Sequence, residues 1–241
     1  MNIFDRQSGT FRRMDGPVFT NLLLADELNR AIPRTQSALL EAMEERQVTI
    51  DGEATPLPAP FVVMATQNPV EFESTFRLPA AQMDRFFLRL SLGYPQREEE
   101  ARMLRGVGDE IPFDQVEAVT SAEELVTVQE QIRAVTVSDS VLDYLVSLVS
   151  ATRDHPLIHM GAGPRGSRAL FRGSKTLAAM AGRDFITPDD VQQLAVPVLA
   201  HRLVLSNEAR LAGGDAESLL TKLLQTVPVP PSRREMLDGR N

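Results

Sequence analysis

Two short apolar runs, each followed closely by polar side chains, constrain the fold of this chain more than any other feature. The first run covers Leu22–Ala25 and the second covers residues 61–65. Neither run alternates between apolar and polar residues, which is typical of strands in a parallel sheet covered on both faces. The sequence between them has a helical pattern over residues 35–46, and parallel strands need such a crossover connection. The two runs therefore predict an α/β core.

Three further elements follow from local patterns. Residues 48–55 are predicted to form a hairpin, because Asp51-Gly52 between two extended stretches is a strong turn signal. Residues 79–86 are expected to be helical. The apolar stretch over residues 86–92 is expected to form a third strand, which ends before Gly93.

Polar side chains follow both of the first two predicted strands. Asp26 and Glu27 come directly after the first strand, and Asn68 follows the second. Carboxylates in this position can bind Mg²⁺ and orient an attacking water, and an amide can bind a water or a phosphate oxygen. Open α/β sheets bind their ligands at this edge. The alternatives are acids in a surface loop and, for Asn68, a turn before Pro69.

Two arginines have positions that suggest contact with an anion. Arg85 lies between a predicted helix and an apolar stretch, where it can pair with Asp84 or reach a phosphate across a subunit interface. Arg165 lies in the first turn of a predicted helix, with Arg168 on the same face. A cation is electrostatically unfavourable at a helix N-terminus, and a bound anion would explain it.

The second half of the chain has helical patterns only. Ser121 and Glu124 have the spacing of a capping box, and Thr187 begins a further helix that Pro197 is expected to kink or break. Strong helices are predicted over residues 141–153, 163–182 and 187–205. The change in pattern predicts four parts: a core over 1–95, a linker region over 96–130, a helical domain over 131–227 and an irregular tail over 228–241.

Composition narrows the function. The chain has 241 residues, 43% of them hydrophobic, which suffices for a sizeable core. It has no cysteine, no apolar stretch of about 20 residues and no signal peptide, so we expect no membrane span and a cytoplasmic location. The net charge of −8 argues weakly against a nucleic-acid partner. Three scattered histidines do not form a metal site.

The motifs, in this order, resemble the AAA+ ATPases and specifically the MoxR family. The text around them is more specific than the motifs, and it includes the following segments: GPVFTNLLLADELNRAIPRTQSALLEAMEERQVTIDG, PFVVMATQNP, LPAAQMDRF, GRDFITPDDV and VLAHRL. The resemblance covers most of residues 16–205. It implies an αβα core with a parallel sheet, present only in part, followed by an all-α lid domain.

The resemblance also implies roles for five residues. Asp26 would bind Mg²⁺ and Glu27 would activate water at the Walker B end, with Asn68 as sensor 1. Arg85 would be the arginine finger, and Arg165, in the lid, would be sensor 2. The implied protein is an ATP-driven, chaperone-like ring of six subunits, whose partners often carry a von Willebrand factor A domain.

The chain departs from the family pattern in several places. Ala80 stands where the family usually has Glu, Gly163 stands in place of Ser, and Gly166 in place of a non-glycine residue. More important, the sequence holds no G-x-x-x-x-G-K-[S/T] phosphate loop. The stretch Gly173-Ser174-Lys175-Thr176 is no substitute, because it lies within a predicted helix.

The missing phosphate loop predicts an N-terminally truncated chain that is inactive as given. The alternative is a nucleotide-independent interaction module or a dead ring subunit. A magnesium-chelatase-type ATPase subunit ranks lower, because LPAAQMDRF and TPDDV favour the MoxR family.

Overall fold

The computed structural model describes the following residues: 2–5, 10–13, 15–50, 52–68, 76, 78–105 and 116–231. Asp51 of the predicted turn, Pro69, residues 106–115 of the predicted linker and residues 232–241 of the tail lie outside these ranges. Within them, the strands are β1 (Asn2–Asp5), β2 (Thr10–Arg13), β3 (Leu22–Ala25), β4 (Gln47–Ile50), β5 (Glu53–Pro56), β6 (Val62–Ala65), β7 (Ile158–Met160) and β8 (Val204–Leu205). The α-helices are α1 (Pro33–Glu45), α2 (Ala80–Met83), α3 (Arg97–Leu104), α4 (Ala122–Arg133), α5 (Asp139–Asp154), α6 (Pro164–Met180), α7 (Pro188–Leu199), α8 (Asn207–Leu211) and α9 (Ala216–Thr226).

The two predicted core strands form and pair in parallel. β3 lies beside β6 in a register that pairs Leu22 with Val62 and Ala25 with Ala65. α1 provides the crossover between them, and its Pro33 stands at the first helical position, where the missing N–H costs nothing. This β-α-β unit confirms the α/β prediction and brings the carboxyl ends of both strands to one edge of the sheet.

One face of this parallel pair is open, which corrects the expectation of cover on both faces. Leu22, Leu24, Val62 and Met64 are 56%, 63%, 44% and 50% exposed. They share a face because side chains two residues apart along a strand point the same way, and the register sets the two pairs side by side. The described part of the chain leaves that face in contact with solvent.

The predicted hairpin forms between β4 and β5. Ile50 pairs with Glu53, which leaves a two-residue turn, and Gly52 in that turn has a φ of 86°. Such a positive φ is the conformation that the Asp-Gly signal predicts for this turn. A second hairpin, β1–β2, pairs Asn2 with Arg13.

The prediction of a third strand over residues 86–92 is wrong, and the helix before it is shorter than predicted. α2 ends at Met83, and no strand occurs among the described residues 78–105. The backbone groups that a sheet would use are bound elsewhere. The carbonyl oxygens of Phe86 and Phe87 accept hydrogen bonds from the Arg202 guanidinium at 2.5 and 3.2 Å, and the Arg89 N–H donates to the Pro197 carbonyl at 2.8 Å.

Arg202 lies in the turn that follows α7, and its buried side chain binds residues 84–87. The side chain is 2% exposed, and its Nε lies 3.0 Å from Asp84 Oδ1. It also donates to the Val198 carbonyl. The adjacent His201 places Nε2 3.2 Å from the Phe86 carbonyl oxygen and 2.8 Å from Arg202 Nη1. Residues 84–87 are therefore fastened to the helical part of the chain.

Pro197 does not break α7 as expected. The helix continues to Leu199 and changes to a 3₁₀ helix over Ala200–Arg202. Tighter 3₁₀ turns are frequent at helix C-termini. This change gives His201 and Arg202 the positions from which they reach residues 84–87.

The helical half has the main hydrophobic core. Its large apolar side chains with 0% exposure come from four helices: Leu148, Leu170, Val191, Val198, Leu199 and Leu220. Among the described residues, no helix combines the length and apolar character that crossing a membrane requires.

The predicted helix caps at Ser121 and Thr187 are confirmed. Ser121 and Glu124 form a reciprocal capping box at α4, and Thr187 and Asp190 form another at α7. Arg183 binds both oxygens of Asp190 at 2.8 and 2.5 Å. Burial acts to raise the pKa of the Asp190 carboxyl, but the hydrogen bonds from Arg183 and Thr187 outweigh it and hold that pKa below its usual value.

The loop between β7 and α6 packs directly on the backbone of α5. A β-carbon on Gly161 would lie 2.6 Å from the Thr152 carbonyl oxygen and 2.7 Å from the Arg153 nitrogen. Two hydrogen bonds hold the loop there: Ala162 N–H donates to Thr152 Oγ1 at 3.0 Å, and Arg153 Nε donates to the Ala162 carbonyl at 2.8 Å. This contact determines where α6 begins, and it therefore also sets the position of Arg165 in the first turn of that helix.

Gly161→Ala should destabilise the helical part by about 1–3 kcal/mol, because the added methyl meets backbone atoms that cannot move aside. The matched control is Gly163→Ala, where an added methyl meets nothing within 4 Å. Its cost should be about 0.5 kcal/mol, because alanine is a poorer N-cap than glycine. Urea unfolding measures both, and equal costs for the two variants would contradict the close approach at Gly161.

Stability should fall as the pH drops from 6.5 to 4 because of His201. Burial lowers the pKa of His201 to about 4, and the charge of Arg202 acts in the same direction. Below pH 6.5 the imidazole of His201 therefore binds a proton in the unfolded chain, whereas in the folded chain it stays neutral down to about pH 4. By pH 4.5 the free energy of unfolding should be lower by about 2–3 kcal/mol.

The measurement is urea unfolding of the natural chain and His201→Asn at pH 7 and pH 4.5. The variant cannot titrate at this position, so its stability should change less between the two pH values. An identical pH dependence in both proteins would show that His201 is not buried in its neutral form.

Candidate functional site

Asp26 and Glu27 lie where β3 ends, and Thr66 on the neighbouring strand end holds both. Thr66 Oγ1 donates to Asp26 Oδ1 at 2.5 Å and accepts from the Glu27 N–H at 2.8 Å. The backbone continues the pairing, because Leu28 N–H donates to the Thr66 carbonyl at 3.0 Å. The carboxylate of Asp26 is exposed at this edge and is oriented by one neutral hydroxyl.

Glu27 has an unusual backbone for a residue with a side chain. Its φ and ψ are 48° and 49°, in the left-handed region that non-glycine residues seldom occupy. Its Oε2 lies 3.1 Å from Arg30 Nε. Both side chains are partly exposed, so the pair holds Glu27 only loosely. Such a backbone is a frequent feature of functional sites.

Asn68 is brought to the same edge by Asn29. Asn29 is buried, and its amide donates to the Asn68 carbonyl at 3.3 Å while its Oδ1 accepts from the Asn68 N–H at 3.4 Å. Gln36, also buried, donates to the carbonyl oxygens of Leu28 and Ala31 at 3.2 and 3.1 Å. The loop after β3 is therefore braced by side-chain amides, and Asp26, Glu27 and Asn68 share one edge of the sheet.

Arg85 and Arg165 meet at a different place, the last turn of α1. Glu44 Oε2 accepts from Arg85 Nη1, and Glu44 Oε1 lies 2.5 Å from Arg165 Nη2. Arg165 Nη1 is 3.6 Å from Asp84 Oδ2, and the other oxygen of Asp84 binds Arg202. The two predicted anion-binding arginines are thus paired with carboxylates, and they share one.

These residues form two groups connected by α1. Gln36, in the first turn, contacts the loop after β3, and Glu44, in the last turn, binds the arginines. The separation of eight residues corresponds to roughly 12 Å along the helix axis, at about 1.5 Å per residue. We call Asp26, Glu27 and Asn68 the strand-end group, and Glu44, Asp84, Arg85, Arg165 and Arg202 the arginine network.

The strand-end group fits Mg²⁺ in one specific way. The described residues contain no cluster of three or more acidic or histidine side chains that could enclose a metal ion. Mg²⁺ usually keeps several waters and binds one or two carboxylates together with substrate phosphates. Asp26, an exposed carboxylate held through one oxygen, suits that mode.

Sequence reasoning missed the residues that orient the predicted ones. Thr66 follows β6 and could have been recognised as a polar residue at a strand end. Glu44 lies within the acidic end of a helical pattern and gives no distinct signal. Arg202 and His201 belong to the segment VLAHRL, but only the structure shows that they are buried and that they bind residues 84–87.

Family models match both halves of the chain. The model described as the ATPase family associated with various cellular activities matches residues 1–88, and the AAA lid domain matches residues 150–223. The first range contains the strand-end group and Arg85, and the second contains Arg165 and Arg202.

Known proteins resemble most of the chain. The uncharacterised protein YeaC of Bacillus subtilis is 42% identical over 97% of this chain and 73% of its own length. The chaperone MoxR1 of Mycobacterium tuberculosis is also 42% identical, over 89% of this chain and 59% of its own length. The protein MoxR of Methylorubrum extorquens is 30% identical over 93% and 72%. The chain thus spans between three fifths and three quarters of these relatives.

A solved structure is also similar to most of this chain. A protein from Cytophaga hutchinsonii, provisionally classed as an ATPase, superposes with a TM-score of 0.88 at 37% identity, over 96% of this chain and 73% of its own. Several magnesium-chelatase subunits are less similar, at 25–28% identity. The chain therefore belongs to the MoxR family of AAA+ ATPases.

Proposed function

We propose that this chain is the catalytic and lid part of an ATP-hydrolysing ring subunit. The observation that supports this most is the strand-end group, in which two carboxylates and an amide share the edge where open α/β sheets bind ligands. Asp26 would hold the magnesium ion, Glu27 would orient the attacking water, and Asn68 would position that water or the terminal phosphate.

The contacts of Thr66 support separate roles for the two acids. Its hydroxyl donates to Asp26, so one oxygen of that carboxylate is oriented in advance. The same hydroxyl oxygen accepts a hydrogen bond from the Glu27 N–H. This bond helps to hold the left-handed backbone that turns Glu27 away from the strand direction. Magnesium, when bound, neutralises charge that develops on the phosphate oxygens.

The distance between the strand-end group and the arginine network supports a role for Arg85 at the nucleotide site of a neighbouring subunit. Arg85 binds α1 roughly 12 Å along the helix from the residues that brace the strand ends, at about 1.5 Å per residue. An arginine that stabilises the charge of a phosphoryl group can come from a different subunit. Arg165, on the helical half, pairs with the same Glu44 and would report the presence of the phosphate.

The proposal requires a phosphate-binding loop in addition to these 241 residues. No G-x-x-x-x-G-K-[S/T] occurs in the sequence, and the backbone amides and lysine of that loop normally hold the phosphates. We therefore propose that these residues alone do not turn over ATP.

The wider setting belongs to the same proposal. A relative that is 42% identical is described as a chaperone. By analogy we propose a six-membered ring that remodels or activates partner proteins, including partners with a von Willebrand factor A domain. The cysteine-free sequence supports a cytoplasmic setting.

Glu27→Gln should abolish turnover and keep ATP binding. The test uses a version of the chain in which a strand and a phosphate loop precede residue 1. The amide keeps the shape of the side chain but cannot accept a proton, so kcat should fall at least about a hundredfold. Steady-state hydrolysis and equilibrium binding of ATP measure the two effects. Glu41→Gln, on the exposed face of α1, is the matched control and should hydrolyse normally.

Mixing two inactive variants tests the subunit assignment of Arg85. Arg85→Ala subunits keep Glu27, and Glu27→Gln subunits keep Arg85, so some interfaces in a mixed ring are complete. Turnover should reappear on mixing. Mixtures as inactive as their components would contradict a trans role for Arg85 and favour a purely structural pair with Glu44. Normal turnover by Glu27→Gln would instead favour a nucleotide role without water activation.

A further inference from the structure

Glu44 is the one described carboxylate that touches both arginines proposed to bind phosphate. Its Oε2 accepts from Arg85 Nη1 and its Oε1 lies 2.5 Å from Arg165 Nη2, so each oxygen serves one guanidinium. The three side chains are about equally accessible, at 32% for Glu44, 30% for Arg85 and 49% for Arg165. Either arginine can therefore leave without unpacking a core.

The remaining contacts of the two arginines differ. Arg85 Nη1 also lies 3.4 Å from the Leu40 carbonyl oxygen, which is a weak contact. Arg165 has a second, longer contact with Asp84 at 3.6 Å, but Asp84 is already bound by the buried Arg202 at 3.0 Å. Glu44 is thus the main carboxylate partner of Arg85, and it is shared.

We propose that Glu44 is a positioning residue that couples the two arginines through competition for its charge. When Arg165 leaves Glu44, the full carboxylate charge acts on Arg85, which is then held more firmly against α1. When Arg85 leaves, Arg165 is held more firmly. Such coupling is reciprocal, since both effects come from the same carboxylate.

This coupling rests on the proposed function and gives it a direction. A phosphate that draws Arg165 away from Glu44 would restrain Arg85 on α1. The site that depends on Arg85 would then lack its arginine, so the two arginines would act in alternation rather than together. Glu44 would carry this signal without touching nucleotide.

The charge pattern around Glu44 supports a real competition. Glu41 and Glu45 are also on α1 and line the same cavity as Arg85. Neither of them forms an ion pair with a described arginine. Of these three acids, only Glu44 pairs with the two arginines, so the competition is for one carboxylate and not for the acidic character of α1 as a whole.

The test measures how fast phenylglyoxal modifies each arginine in the 241-residue chain, by mass spectrometry of peptides. The nitrogens of an arginine side chain attack the dicarbonyl of the reagent, and an ion pair slows this reaction because it occupies them. Glu44→Gln should raise the rates at both Arg85 and Arg165 by about two- to fivefold, the factor expected from partly exposed pairs. The matched control is Glu41→Gln, which should leave both rates unchanged.

Arg165→Gln separates coupling from a merely structural pair. It imitates the departure of Arg165 from Glu44, so the rate at Arg85 should fall by about two- to fivefold. A rate at Arg85 that is unchanged or higher overturns the proposal. Equal effects of Glu44→Gln and Glu41→Gln also overturn it.

Two features keep the test decisive. If Glu44→Gln does not fold, as judged by thermal unfolding, Glu44→Asp withdraws the carboxylate by one methylene and should raise the same two rates. The measurement needs no nucleotide and no turnover. Its failure therefore removes the coupling and leaves the proposed ATPase function intact, whereas a failed turnover experiment leaves the coupling intact.

Discussion

The buried guanidinium of Arg202 is the contact on which the arrangement of the two halves depends. The Arg202 side chain is 2% exposed, and its guanidinium contacts the carboxylate of Asp84 and the carbonyl oxygens of residues 84, 86, 87 and 198. Burial lowers the pKa of Arg202, and Asp84 acts against that shift. A buried charge is tolerated only when it is paired and its donors are satisfied, and here both conditions hold. The contact fixes residues 84–87, and with them Arg85, relative to the lid.

A second constraint is α1, which joins the strand-end group to the arginine network. Its first turn braces the loop that carries Asp26 and Glu27, and its last turn presents Glu44. A helix is stiff over this length, so a change at one end is transmitted to the other. Together, α1 and Arg202 connect the residues proposed for hydrolysis with those proposed to sense its outcome.

The sequence predicted the elements whose signals are local. β3, β6, the β4–β5 hairpin, the capping box at Ser121 and the helix start at Thr187 all depend on residues a few positions apart. The predicted strand over residues 86–92 does not form because of a tertiary contact. Its apolar residues suit a strand, but Arg202, more than 100 positions away, takes the carbonyl oxygens that a sheet would need. The same distance in sequence hid the role of Arg202, and no pattern could show that Glu44 lies between two arginines.

The exchange rate of the Arg89 amide tests the central claim most directly, because its N–H donates to the Pro197 carbonyl only while residues 84–89 stay docked on the lid. In the natural chain the amide should be protected from hydrogen exchange, and in Arg202→Gln that protection should be lost. The Leu148 amide in the middle of α5 should stay protected in both, which shows that the lid itself remains folded. Equal protection of Arg89 in the natural chain and the variant would contradict the role assigned to Arg202.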